Sequence, residues 1–171
     1  GETGLAIQFL DGLSNIAESP AEAARYQRRV AEVHLSANAD EKAREALLRA
    51  LDQQDGDLEA IDGLEALARK AEDWQALVGV LARRARIVEG REQVELHREI
   101  ARIWETQIED AAVALDTWKK VLEMVPEDPD ALAHLVELSR QRAEWSALVE
   151  YGAALAPHQS IAERSELFCE L

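Results

Sequence analysis

The side chains of this sequence that could do chemistry are four histidines, one cysteine, four tryptophans, many carboxylates and a scatter of arginines. His34, His97, His134 and His158 could hold a metal, but a metal site needs ligands brought together, as two histidines one helical turn apart would be. No pair of the four has that spacing. Cys169 would need a positioned base to act as a nucleophile, and none is identifiable. A single cysteine also excludes an intramolecular disulfide and a cysteine zinc site. The 34 acidic residues are spread as on a solvated helix surface, so no acid/base pair stands out. A phosphate-binding glycine loop, a GxSxG nucleophile motif, an HExxH motif and an EF-hand loop are all missing from the sequence. The expectation is therefore a non-enzyme with no catalytic, cofactor or metal residues. Trp74, Trp104, Trp118 and Trp145 are expected to pack between helices rather than to form an aromatic cage.

The elements that would position these side chains are helices. Ala, Leu, Glu and Arg dominate, and all favour helix. The composition is 47% hydrophobic and 31% charged, with only 8 Gly and 4 Pro in 171 residues, which is that of a globular chain. The formal net charge of −15 disfavours binding to nucleic acid or to anionic membrane surfaces. No run approaches the roughly 18 apolar residues of a membrane span. One cysteine leaves the compartment open, the cytoplasm slightly favoured.

The chain also repeats itself. Residues 40–100 match 111–171 without a gap at 17 of 61 positions. "DWQALV" at 73–78 returns as "EWSALV" at 144–149, so Trp74 and Trp145 are 145 − 74 = 71 residues apart. The identities include Ala43/Ala114, Leu51/Leu122, Leu64/Leu135, Leu67/Leu138 and Leu77/Leu148. In the same register His97 meets Phe168, His134 meets Gly63 and Cys169 meets Arg98. A histidine that exchanges with Phe or Gly is better read as packing or surface than as a ligand. A period of 71 divides into two helical hairpins. The domain reading is a single array over 1–171, with double-hairpin units at 40–110 and 111–171. About ten helices are expected, roughly 4–18, 20–36, 40–54, 57–71, 73–89, 91–107, 110–125, 128–142, 144–156 and 160–171. Asp57, Asp110 and Asp128 are placed to cap helices, Pro129 suits a first turn, and Ser160 with Glu163 makes a capping box.

These hairpins resemble tetratricopeptide repeats. Ala114, Trp118, Val121 and Pro126 follow the second-helix spacing of that family. Ala147, Tyr151, Ala154 and Pro157 follow it with the proline early, and Ala43, Leu47 and Ala50 follow it without a proline. Ala76 and Val80 follow it in part, since Arg83 stands where a small residue is expected. In the first helices, Ala31 and Ala101 suit the small crossing position, where Leu64 and Leu135 stand in the other hairpins. The double unit is similar to the long degenerate arrays of large bacterial tetratricopeptide proteins. The resemblance implies an all-α fold, an α-α superhelix in which antiparallel hairpins stack as a right-handed solenoid. It also implies that first helices line a concave face on which a partner protein or peptide lies.

Helical spacing puts Arg25, Arg28 and Glu32 on that face in the first hairpin. The second would offer Leu58, Ile61, Glu65 and Arg69, the third Glu95, Arg98, Arg102 and Glu105, and the fourth Leu132, Val136 and Arg140. Arginines at such positions suit carboxylate recognition, so an acidic or C-terminal peptide is one expectation. Pairing of the same arginines with glutamates of adjacent helices is the competing one. The array begins with a second helix and ends with a first, without polar caps. The expectation is therefore a fragment of a longer protein, or ends that pair with another copy; self-association is an alternative to a scaffold, as is an accessory domain of a larger enzyme.

Overall fold

The computed structural model describes residues 2–159. They divide into two compact units, one ending at Ile87 and the other starting at Val88. The first unit holds α1 (Glu2–Asn15), α2 (Pro20–Ser36), α3 (Asp40–Gln53), α4 (Leu58–Ala71) and α5 (Trp74–Ala85). The second holds α6 (Arg91–Thr106), α7 (Ala111–Met124), α8 (Pro129–Gln141) and α9 (Trp145–Leu155), then one 3-10 turn at Ala156–His158. No strand occurs among the described residues. The helix expected over 160–171, with its Ser160–Glu163 capping box, lies outside them. The helix expected over 73–89 stops at Ala85. The sequence beyond it runs through β-branched Ile87 and Val88 to Gly90, all weaker helix formers.

Side-chain caps start α2, α4, α5, α7 and α8. Asp57 accepts the Ala60 backbone N–H at 3.0 Å and Asp128 accepts that of Ala131 at 2.8 Å. Asp73 does the same for Ala76 at 3.0 Å, and Asp110 accepts two N–H groups at 3.1 Å. Ser19 accepts from Glu22 N–H, and the Glu22 carboxylate reaches back to the Glu18 N–H, a capping box displaced by one residue.

Each hairpin turns through one residue in the left-handed region. These are Asn38 (φ 54°), Glu72 (φ 53°), Glu109 (φ 58°) and Ala143 (φ 54°). They repeat with the sequence, since 109 − 38 = 143 − 72 = 71. Backbone N–H groups just past the turn bond carbonyls five residues back, as in Ala39 to His34, Asp73 to Ala68 and Glu144 to Ser139. This is the hydrogen-bonding of a Schellman ending, usually built on Gly.

The cores sit where the alanines let helices approach. In the first unit Ala24 and Ala31 of α2 meet Ala43, Ala46 and Ala50 of α3. Leu47, Leu51, Ile61, Leu64 and Leu67 fill the remainder, with Ile7, Leu10 and Val80 packed against them. In the second unit Ala101, Ala114 and Ala131 surround Trp118, which is 0% exposed, with Leu135 and Leu138. An adjoining cluster holds Leu132, Val136, Leu148 and Leu155, and Leu122 and Tyr151 pack against both.

Candidate functional site

The first helices carry the residues from which a binding face was expected, and their side chains take three different roles. Arg28 and Arg98 are structural. Arg28 of α2 pairs with Asp57, which caps α4, and with exposed Glu59 at 3.0 Å. Arg98 of α6 pairs with Asp128, which caps α8, and with Glu95 at 2.7 Å. Asp57 and Asp128 are buried, so each carboxylate is shared between an arginine of one hairpin and the backbone of the next. The hydrogen bond to Asp128 holds the Arg98 guanidinium above its ordinary range, against the opposing effect of burial. The pairing was expected with glutamates of adjacent helices, but the principal partners are aspartates. An N-cap carboxylate is pulled into the crossing by its helix, where a longer glutamate on the helix surface is not.

Arg69 and Arg140 are held on their own helices, Arg69 with Glu65 at 2.9 Å and Arg140 with Glu137 at 2.6 Å. Arg102 pairs with Asp130 on α8 and lies 5.9 Å above the Trp118 ring. Arg25 is exposed and holds no ion pair among the described residues.

Leu132 and Val136 do not line an open face. They are 1% and 5% exposed and belong to the core between α8 and α9. Ile61 is likewise buried, whereas Leu58 is exposed. Spacing from a first-helix signature put these leucine-type residues outward. In a degenerate repeat with Leu135 at the crossing, the core stripe broadens and takes them inward.

A polar cluster that sequence reasoning missed surrounds Trp118. The His134 ring stacks on it at 4.3 Å between centroids, and Trp118 Nε1 donates to Glu105 at 3.0 Å. His134 Nδ1 also lies 2.9 Å from Glu105. The signal lay in the repeat: His134 and Trp118 replace Gly63 and Leu47. A Cβ added at Gly63 would come within 2.9 Å of Leu47 Cδ1, so the two positions already touch in the first unit. His134 is thus a packing residue. Trp145 departs from expectation, being 62% exposed rather than packed between helices. Cys169 lies outside the described residues.

A pocket of about 490 Å³ opens in the first unit between α3 and α5. Its floor is Leu51, Leu64 and Leu67, its walls include Leu48 and Val80, and charged residues of both signs surround the mouth. No group of acidic, histidine or cysteine side chains among the described residues could hold a metal ion. No helix among them is long and apolar enough to cross a membrane.

No family model and no curated protein matches the chain. Among solved structures, one from a functional characterisation of Pseudomonas aeruginosa pilF is similar over 92% of this chain and 77% of that one, at a TM-score of 0.50 and 13% identity. A crystal structure of MamA is similar over 96% and 90%, at 0.49 and 13%. The TPR-like repeats of a putative kinesin light chain from Podosopora anserina are similar over 93% and 90%, at 0.43 and 20%. Hairpin order, alanine crossings and the likeness to the pilF structure agree: the chain has a tetratricopeptide-like fold of stacked helical hairpins.

Proposed function

We propose that the chain is a protein-interaction scaffold whose first helices hold an acidic segment of a partner protein. One observation carries this reading: in a chain of net charge −15, arginines recur on the first helices at the surface. Arg25 has no ion pair among the described residues, and Arg69 is 44% exposed in a same-helix pair with Glu65. Same-helix pairs contribute little, about 1 kcal/mol or less, so a partner carboxylate can compete for Arg69 with Glu65, which Arg84 also approaches at 3.4 Å. Arg28 and Arg98 hold the hairpins together and are not offered to a ligand. The test is an acidic peptide titrated against the Arg25→Glu, Arg69→Glu variant. Binding should weaken roughly tenfold or more, as expected for losing charge-assisted hydrogen bonds, and it should weaken further with salt. Binding that is unchanged in the variant sinks the first-helix reading.

A second reading, self-association, is favoured by α1. Leu5, Phe9 and Ile16 are 70%, 67% and 76% exposed. At 100° per residue Leu5 and Phe9 fall about 40° apart on a face of α1 opposite the Ile7 and Leu10 side that packs on the core, and Ile16 lies in the turn just past the helix. Such a face suits a second copy of the chain docking against α1.

A further inference from the structure

The two units share a hairpin pair, and one of the places where they differ shapes the pocket. In the second unit Tyr151 packs against the core that holds Trp118, Leu135 and Leu138, as Leu122 does. Its hydroxyl is pushed up from the ordinary tyrosine value, chiefly by burial. In the 71-residue register the counterparts of Leu122, Leu135 and Leu138 are Leu51, Leu64 and Leu67, which floor the pocket of the first unit. The counterpart of Tyr151 is Val80, and that of Glu150 is Gly79, where an added Cβ would meet nothing within 4 Å. The fold therefore accommodates an aromatic ring and a carboxylate here, and the first unit leaves both out.

The charges around the pocket change as well, with Asp40 and Glu41 standing where the second unit has Ala111 and Ala112. Arg83 and Arg86 stand where the second unit has Ala154 and Pro157, and Arg44 stands where it has Leu115. Arg83 pairs with Asp55, 76% exposed, and Arg44 with Glu41, 69% exposed. Arg86 is exposed and holds no ion pair among the described residues. A vacated aromatic place thus lies beside cations that the filled version lacks.

We infer that the pocket between α3 and α5 is a docking site for a partner peptide that inserts an aromatic side chain flanked by carboxylates. The ring takes the apolar floor, and the carboxylates meet Arg83 and Arg86. The volume of about 490 Å³ accommodates a short stretch of peptide around the ring rather than the ring alone. This site lies between the second helices α3 and α5 over α4, and it uses neither Arg25 nor Arg69.

The test titrates the full chain, by amide NMR, with an acetylated Glu-Glu-Tyr-Glu-Glu amide and with the same peptide carrying Ala for Tyr. The tyrosine peptide should saturate shifts at Leu48, Gly79 and Val80, and the alanine peptide should bind roughly tenfold more weakly, having lost the buried ring. Val80→Tyr, which installs the second unit's own residue, should abolish binding. Arg86→Glu should weaken it about fivefold or more, and it keeps the test open if Val80→Tyr fails to fold. Equal binding of both peptides overturns the proposal, as does binding indifferent to Val80→Tyr in a folded variant and to Arg86→Glu. Binding lost in the Arg25→Glu, Arg69→Glu variant but kept in Val80→Tyr also overturns it, and leaves the first-helix reading standing.

Discussion

Single residues decide which arginines are structural and which are surface. A guanidinium next to a buried carboxylate that also caps a helix serves two elements at once. Removing Asp128 takes a cap from α8 and leaves Arg98, its side chain 21% exposed, to its half-exposed same-helix partner Glu95. Losses of that kind are large. Asp128→Ala is therefore expected to lower stability in urea unfolding by about 2–4 kcal/mol. Arg102→Ala removes a half-exposed pair with Asp130 and a contact over the Trp118 ring. Its cost should be about 1 kcal/mol. Equal losses from the two substitutions would show that the buried pair holds nothing in particular.

Helix ends carry the repeat as clearly as helix faces do. Aspartate caps open α4, α5, α7 and α8, and non-glycine residues in left-handed conformation close the four first helices. Ala143 is the least suited of these, because Asn tolerates positive φ better and Ala gains no compensating hydrogen bond from its side chain. Glycine occupies that conformation without a Cβ penalty. Ala143→Gly should raise stability by about 0.5–1 kcal/mol, read as a higher urea midpoint at unchanged slope. A lower midpoint would mean that the added freedom of the unfolded chain outweighs the relieved strain.

Taken as a whole molecule, the acidic chain exposes apolar residues, Leu5 and Phe9 of α1 among them. If α1 stacks on another copy, mass should rise with concentration in light scattering. Phe9→Glu should then hold the chain at monomer mass, since it places a charge on the exposed face shared with Leu5. A monomer mass for the unaltered chain at every concentration would remove self-association and leave the scaffold reading alone.

The sequence by itself determined the helices of the described residues, their order and their pairing. Helical periodicity, alanines at crossings and aspartate caps act over a few residues, and a 71-residue repeat makes each signal visible twice. Pro20–Ser36 was legible to the residue. The nature of the binding face was not. Whether Arg28 or Arg98 meets solvent depends on the N-cap of a helix about 30 residues away, and Leu132 and Val136 went inward because Leu135 widens the core stripe of α8. The pocket beside Val80 was hidden for the same reason. An unfilled volume is a property of three helices at once, and only their packing shows that the place of Tyr151 in one unit stands open in the other.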